Sequence, residues 1–299
     1  LQNSHQIGTL FSSNLVKVFD YRCSGQRERQ EEWPAAHEII LPRSGVYVRN
    51  DIFGESVADP NQILFSNKDL PYEITHPVRG EDHSTVILLR TAALLEIASS
   101  FDPSVMDRPH KPFQRTAIPA KSRSHLGQYW FLNLDKRVSC PDPMAIEEFL
   151  LGIAGQILAQ VFRTGSASSA RRMPGAQRAH NELVYRVKLV LDERFRERLL
   201  LDEIAAAVYS SPYHLSRVFK RRTGLTIHQY QQRLRLLHAA ERMTENPEEG
   251  LDRIALDLGF ASHSHFTTAF GKVFNLSPSE FRRSVSSRRL RKMSKILKV

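Results

Sequence analysis

Two stretches in the last third of the chain repeat each other, and such a repeat leaves few folds open. Leu201-Asp202-Glu203-Ile204-Ala205-Ala206-Ala207-Val208 stands 50 residues before Leu251-Asp252-Arg253-Ile254-Ala255-Leu256-Asp257-Leu258, with Leu, Asp, Ile and Ala coinciding. After one inserted residue the offset becomes 51, which pairs Leu215 with Phe266, Phe219 with Phe270 and Tyr230 with Phe281. A one-residue change inside a turn, with helical spacing kept on both sides, indicates two copies of one supersecondary unit.

Each copy reads as helix, tight turn, helix. Ile204, Ala205 and Val208, like Ile254, Ala255 and Leu258, form a short buried stripe at i, i+1 and i+4. Asp202 and Asp252 are the expected N-caps. Tyr209-Ser210-Ser211 and Gly259-Phe260-Ala261 supply the turns, and the second helices run over Pro212–Thr223 and roughly Ser262–Phe274. Pro212 suits a first helical turn, and Gly224 and Asn275 suit left-handed C-caps. Leu215, Val218 and Phe219 face inward, which leaves Tyr213, His214, Ser216, Arg217, Lys220 and Arg221 outside. This is the helix-turn-helix arrangement, whose second helix enters the major groove of DNA.

The distribution of charge agrees. The 299 residues carry a net charge of +10. Residues 1–162 hold 16 basic and 19 acidic side chains, net −3. Residues 163–180 hold four Arg and no acid, net +4, and residues 181–299 hold 22 basic and 13 acidic side chains, net +9. The Gly-, Ser- and Ala-rich stretch 163–180 buries too little apolar surface to fold and reads as a mobile tether. A basic domain tied to a slightly acidic one points to a polyanion partner for one half only. The tail from Arg282 onward has eight basic residues and no acid, and either stays solvated or adds salt-sensitive attraction to DNA.

The segments DEIAAAVYSSPYHLSRVFKRRTG and DRIALDLGFASHSHFTTAFGKVFNLSPSEFRR carry a family resemblance. Over residues 181–285 the chain resembles the AraC/XylS family of bacterial transcription regulators, with the family skeleton carried by Ile254, Ala255, Gly259, Phe260, Phe266, Phe270, Pro278, Phe281 and Arg282. Ile227–Met243 resembles the family's linker helix. At 1.5 Å per residue it spans about 25 Å, which with its flanking turns suits reading helices in successive major grooves about 34 Å apart. The resemblance places base contacts on Tyr213, Ser216 and Arg217 in the first reading helix and on Ser264, His265 and Thr268 in the second. Arg217 is the strongest candidate, since a guanidinium can chelate guanine O6 and N7, although a phosphate contact or a surface ion pair is the plainer role. Lys220, Arg221 and Arg222 suit backbone phosphates. Where relatives often carry Arg and Lys, this chain has Thr267, Thr268 and Gly271, so looser readout is expected there. His263 and His265 stand at i, i+2 on different helix faces, which argues against a shared metal.

Residues 14–90 read as short strands: Val16–Cys23, His37–Leu41, Gly45–Arg49, Ser56–Ala58, Gln62–Phe65, Tyr72–His76 and Ser84–Arg90. Their spacing suggests a sandwich or barrel, and the segment around HEIILPRSGVYVR resembles the family's cupin-like sensor domain. Residues 91–162 turn helical, with a wide apolar stripe on Met144–Phe162 that serves the domain's own packing, a dimer seam, or both.

The expected architecture is a multidomain α+β chain: a cupin-like effector-sensing β-barrel at 1–90, a helical extension at 91–162 for dimerisation, a linker at 163–180, an all-α domain with two helix-turn-helix motifs at 181–285, and a basic tail at 286–299. No P-loop, GxSxG or GxGxxG occurs, and neither a catalytic constellation nor a cofactor is expected. No metal is expected either; His37, His76 and His83, with Cys23 farther off, are the candidates should there be one. With two distant cysteines, Cys23 and Cys140, no disulfide scaffold is expected. No apolar run of about 18 residues and no leader is visible, so a cytoplasmic protein with no membrane contact is expected. The expected partners are double-stranded DNA, a second copy of the chain, a small-molecule effector and RNA polymerase. The rival readings are a metal-binding cupin enzyme or metal sensor fused to a DNA-binding domain, and a regulator whose N-terminal half only dimerises.

Overall fold

The computed structural model describes residues 5–24, 30–76, 81–137, 142–163 and 175–283. The chain divides into two compact units, residues 1–169 with 280–299, and residues 170–279.

The first unit holds ten strands: β1 (His5–Ser12), β2 (Val16–Ser24), β3 (Gln30–Glu32), β4 (Glu38–Ser44), β5 (Tyr47–Asp51), β6 (Gly54–Ala58), β7 (Gln62–Ser66), β8 (Tyr72–Thr75), β9 (Glu81–Leu89) and β10 (Ala117–Pro119). Between β9 and β10 lies α1 (Thr91–Ser99), and after β10 come α2 (Ser122–Arg137) and α3 (Pro143–Arg163). The strands form two antiparallel sheets, ordered β1-β2-β9-β4-β7-β10 and β3-β8-β5-β6. Inward-pointing residues of both, among them Ile40, Tyr47, Leu64, Tyr72 and Ile74, make one core, as period-2 alternation requires of sheets with one buried face.

Four features depart from the expectations. β1 and β3 were not anticipated as strands, and β10 lies in the stretch read as helical; its three residues pair with Ile63 and its neighbours on β7, too short a run to show alternation. Pro42-Arg43-Ser44, which falls between two of the expected strands, continues β4. A register shift between Pro42 and Ser44 admits the proline, and the buried Arg43 side chain is held there by Asp20. The third departure is α3, a 21-residue helix with an 18-residue window of mean hydropathy 1.4, long and apolar enough to cross a membrane. Its stripe of Ile146, Phe149, Leu150, Ile153, Ala154, Ile157, Leu158 and Val161 is nevertheless buried within its own unit. Close packing of α2 on α3 explains part of this, because a Cβ at Gly127 would stand 2.8 Å from Ile153.

The second unit is helical: α4 (Gly175–Arg194), α5 (Leu201–Ala207), α6 (Pro212–Thr223), α7 (Ile227–Glu245), α8 (Leu251–Asp257) and α9 (His263–Phe274), with α10 (Pro278–Arg283) following. The fourth departure is that α4 begins at Gly175, inside the stretch read as a tether. Burial of Val184, Val187 and Leu191 supplies tertiary support that the composition of residues 175–180 does not show. Residues 164–174 and the basic tail from 284 lie outside the described residues.

Candidate nucleic-acid interface and internal cavity

The repeat seen in the sequence is a repeat of structure. In each copy a seven-residue helix, α5 or α8, leads through a turn to a twelve-residue helix, α6 or α9. Ser211 Oγ accepts the His214 amide hydrogen at 3.3 Å, and Ser262 Oγ accepts that of His265 at 3.1 Å, so both long helices start on a serine cap. They end on residues in the left-handed region, Gly224 at φ +77° and Asn275 at φ +58°. Each turn also contains one left-handed residue, Tyr209 at φ +55° and Gly259 at φ +79°. The short helices differ from expectation at their starts. Their N-caps are Leu200 and Gly250, and Asp202 and Asp252 sit inside the first turn, where their charge still complements the helix dipole. At α5 the cap is closed by Glu203, whose Oε2 accepts the Leu200 amide hydrogen at 2.9 Å.

Leu215, Val218 and Phe219 bury one side of α6, and Phe266, Ala269, Phe270 and Phe274 bury one side of α9. The opposite sides face solvent. On α6 these are Tyr213, His214, Arg217, Lys220 and Arg221, all exposed, with Ser216 half-buried. On α9 Ser264, His265 and Thr268 are exposed. Thr267 is half-buried and its hydroxyl oxygen is enclosed without a hydrogen-bond partner. It flanks the Phe266–Phe270 stripe. The first helix thus offers a dense cationic face, the second a face of hydroxyls and imidazole with one cation, the exposed Lys272, in its last turn.

α7 holds the two copies together through Arg235, which the sequence analysis did not single out. Its Nε and Nη2 donate to the carbonyls of Phe195 and Glu197 at 2.6 and 2.7 Å, and Nη1 donates to Gly259 O at 2.6 Å. Gln231 Nε2 adds bonds to the same Phe195 and Glu197 carbonyls. One planar guanidinium therefore ties the entry to the first motif to the turn of the second. At the far end of α7, Arg242 pairs with Glu249 and with Asp257 of α8. At 19 residues α7 is about 28 Å long.

Comparison with known proteins agrees with this geometry. Residues 204–284 match a helix-turn-helix domain family. The probable transcription factor PqrA of Proteus vulgaris is 42% identical over 86 residues, which make up 29% of this chain and 70% of that protein. The chain belongs to the AraC/XylS family of transcription regulators. A second relative, the bifunctional transcriptional activator/DNA repair enzyme AdaA of Bacillus subtilis, is 35% identical over 92 residues, 31% of this chain and 43% of that protein. A third, the transcriptional activator RhaS of Klebsiella pneumoniae, is 34% identical over 92 residues, 31% of this chain and 33% of that protein. The chain thus spans less than half the length of AdaA and RhaS.

The first unit of this AraC/XylS chain contains a cavity of about 330 Å³ lined from both sheets. Of the three histidines considered as metal ligands, only His76 lines it. His37 Nδ1 instead accepts the Lys68 amide hydrogen at 3.1 Å, and burial lowers its pKa. His83 Nε2 lies 2.6 Å from Asp20 Oδ1. The structure does bring Cys23, His76 and Asp82 together, with one ligand atom of each within 4.8 Å of the others and all three buried. Thiolate, imidazole and carboxylate form a set suited to Zn²⁺. The His76 Nε2–Asp82 Oδ2 hydrogen bond of 2.5 Å accounts for two of the three without an ion. Cys23 and Asp82 are cross-strand partners on β2 and β9, a pairing that no sequence spacing announces.

Proposed function

We propose that the chain is a sequence-specific regulator that reads double-stranded DNA with α6 and α9 and is controlled by a small molecule in the cavity of its N-terminal unit. The observation that carries this reading is the pair of serine-capped helices in register, each with one face spent on the core and the other left to solvent. Arg217 lies at the centre of the α6 face and reads a base; Lys220 and Arg221 bind phosphates and fix the register. Tyr213, His214 and Ser216 complete the first contact surface, and Ser264, His265 and Thr268 form the second.

In this reading the cupin-like part at 1–90, extended by β10, senses the effector. The helices of 91–162 pass its state on, and 181–285 engages DNA. The protein works in the cytoplasm, where the DNA is, as a homodimer that meets RNA polymerase and catalyses no reaction. Effector control requires that the small molecule bind the DNA-competent and DNA-incompetent states with different affinity.

Protection of genomic fragments by the purified chain identifies the operator. On it, Arg217→Ala is expected to cost about 1–3 kcal/mol and to relax preference at one base pair. A loss uniform over all sequences would move Arg217 to the backbone, and no loss would remove α6 from the interface. Operator affinity equal with and without every candidate effector, at fixed salt, would overturn control through affinity.

A further inference from the structure

The chemistry of the cavity wall selects the kind of molecule it holds. Phe19, Tyr21 and Cys23 alternate along β2, and Val86, Ser84 and Asp82 stand opposite them on β9 in matched register. Tyr47 and Tyr72 close the other side, and Glu32 with Trp33 completes the lining near β3. Five of the lining residues are aromatic. Among the described lining residues three are carboxylates, Glu32, Glu38 and Asp82, and none is Lys or Arg.

The two carboxylate oxygens of Glu32 accept hydrogen bonds from Tyr21 Oη at 3.1 Å and Tyr72 Oη at 3.0 Å, so the carboxylate is fixed between two aromatic rings of the wall. Burial first, then the Glu32 charge at Tyr21 and the Glu38 and Glu32 charges at Tyr72, push both phenols far above their ordinary range. Asp82 is committed to His76. The Arg49 guanidinium lies 3.8 Å from the Tyr72 ring centroid. It is not part of the lining, and its charge is met by Asp51 at 3.5 Å and Ser66 at 3.2 Å. Trp33 lines the cavity yet is 64% exposed.

We propose that this cavity binds an organic monocation, a substituted ammonium whose charged head meets Glu32 and the aromatic faces while its apolar body lies along Ile40, Ile74 and Val86. The proposal rests on the effector reading given above and adds the ligand's chemical class. Aromatic faces attract a cation through their quadrupoles, more strongly once it is desolvated. A carboxylate or phosphate ligand would instead meet the Glu32 oxygens with no Lys or Arg among the described lining residues. The volume lies at the small end of the range for ligand pockets.

Calorimetric titration of the full chain with benzyltrimethylammonium, its neutral carbon isostere neopentylbenzene, and phenylacetate tests this. The ammonium is expected to bind about tenfold tighter than the isostere, the ratio that about 1.4 kcal/mol of cation recognition gives, and phenylacetate is expected not to bind. Glu32→Gln, which retains oxygen and nitrogen in place of the carboxylate, should lose that tenfold for the ammonium and leave the isostere unchanged; a melting curve matching the parent's shows that it folds. Equal or tighter binding of phenylacetate or the isostere would overturn the cationic class and leave the effector cavity standing. Binding of none of the three would overturn both.

Discussion

Gly259 takes φ +79°, and a Cβ built on it would stand 2.0 Å from the Arg196 carbonyl oxygen. Strain and collision act together there, so Gly259→Ala should cost more than about 3 kcal/mol in chemical denaturation. Gly271 in α9 is the opposite case, since a Cβ there would meet nothing within 4 Å. Gly271→Ala should therefore stabilise the chain by about 0.5–1 kcal/mol. If the same variant weakens operator binding, the glycine is kept for close approach of the α9 backbone to DNA; unchanged binding would leave it only a helix defect. The need for glycine in the second turn was legible from the repeat. Tyr209 accepting the same left-handed conformation in the first turn was not, because propensity assigns that conformation to Gly, Asn or Asp.

Among the helices, α7 acts as a spacer with a fixed attachment. Arg235 satisfies three backbone carbonyls at once, and a lysine ammonium cannot reproduce that fork. Arg235→Lys is expected to destabilise the fold by about 2–4 kcal/mol, because carbonyls at the two motif junctions lose a charged donor; an unchanged denaturation midpoint would mean that water replaces it. The linker helix itself was legible from its length and pattern. The clamp was not, since its partners lie up to 40 residues away in sequence and are main-chain atoms without residue identity. α3 teaches a related lesson. Its wide stripe left its own packing and a dimer seam equally open, and the structure buries eight of its apolar residues inside the chain.

Across the molecule, stability should depend on pH through His238. Its ring stacks on Phe195 with centroids 4.3 Å apart, and burial first, then the nearby Arg196 charge, lower its pKa from 6.5 to about 4. The folded state keeps the ring neutral while the unfolded chain protonates near 6.5, so the unfolded state binds more protons as pH falls. Stability is then complete above about pH 6.5 and declines towards pH 4, by up to about 3 kcal/mol. Urea midpoints measured across that window check this, and His238→Phe should flatten the slope; a slope unchanged in that variant would place the titrating group elsewhere.

The sequence by itself determined the reading half of this protein. Its helices are specified by spacing, caps and turn residues within a few positions of one another, and two copies in register make chance coincidence remote. Tertiary structure alone decided the cavity. β1, β3 and β10 exist because other strands offer them partners, and Cys23, Glu32, Tyr72 and Asp82 meet because sheet register carries them there from distant segments. Local pattern writes itself into neighbouring residues, whereas a binding cavity is assembled from long-range pairings whose closure cost is met only when the whole sheet forms.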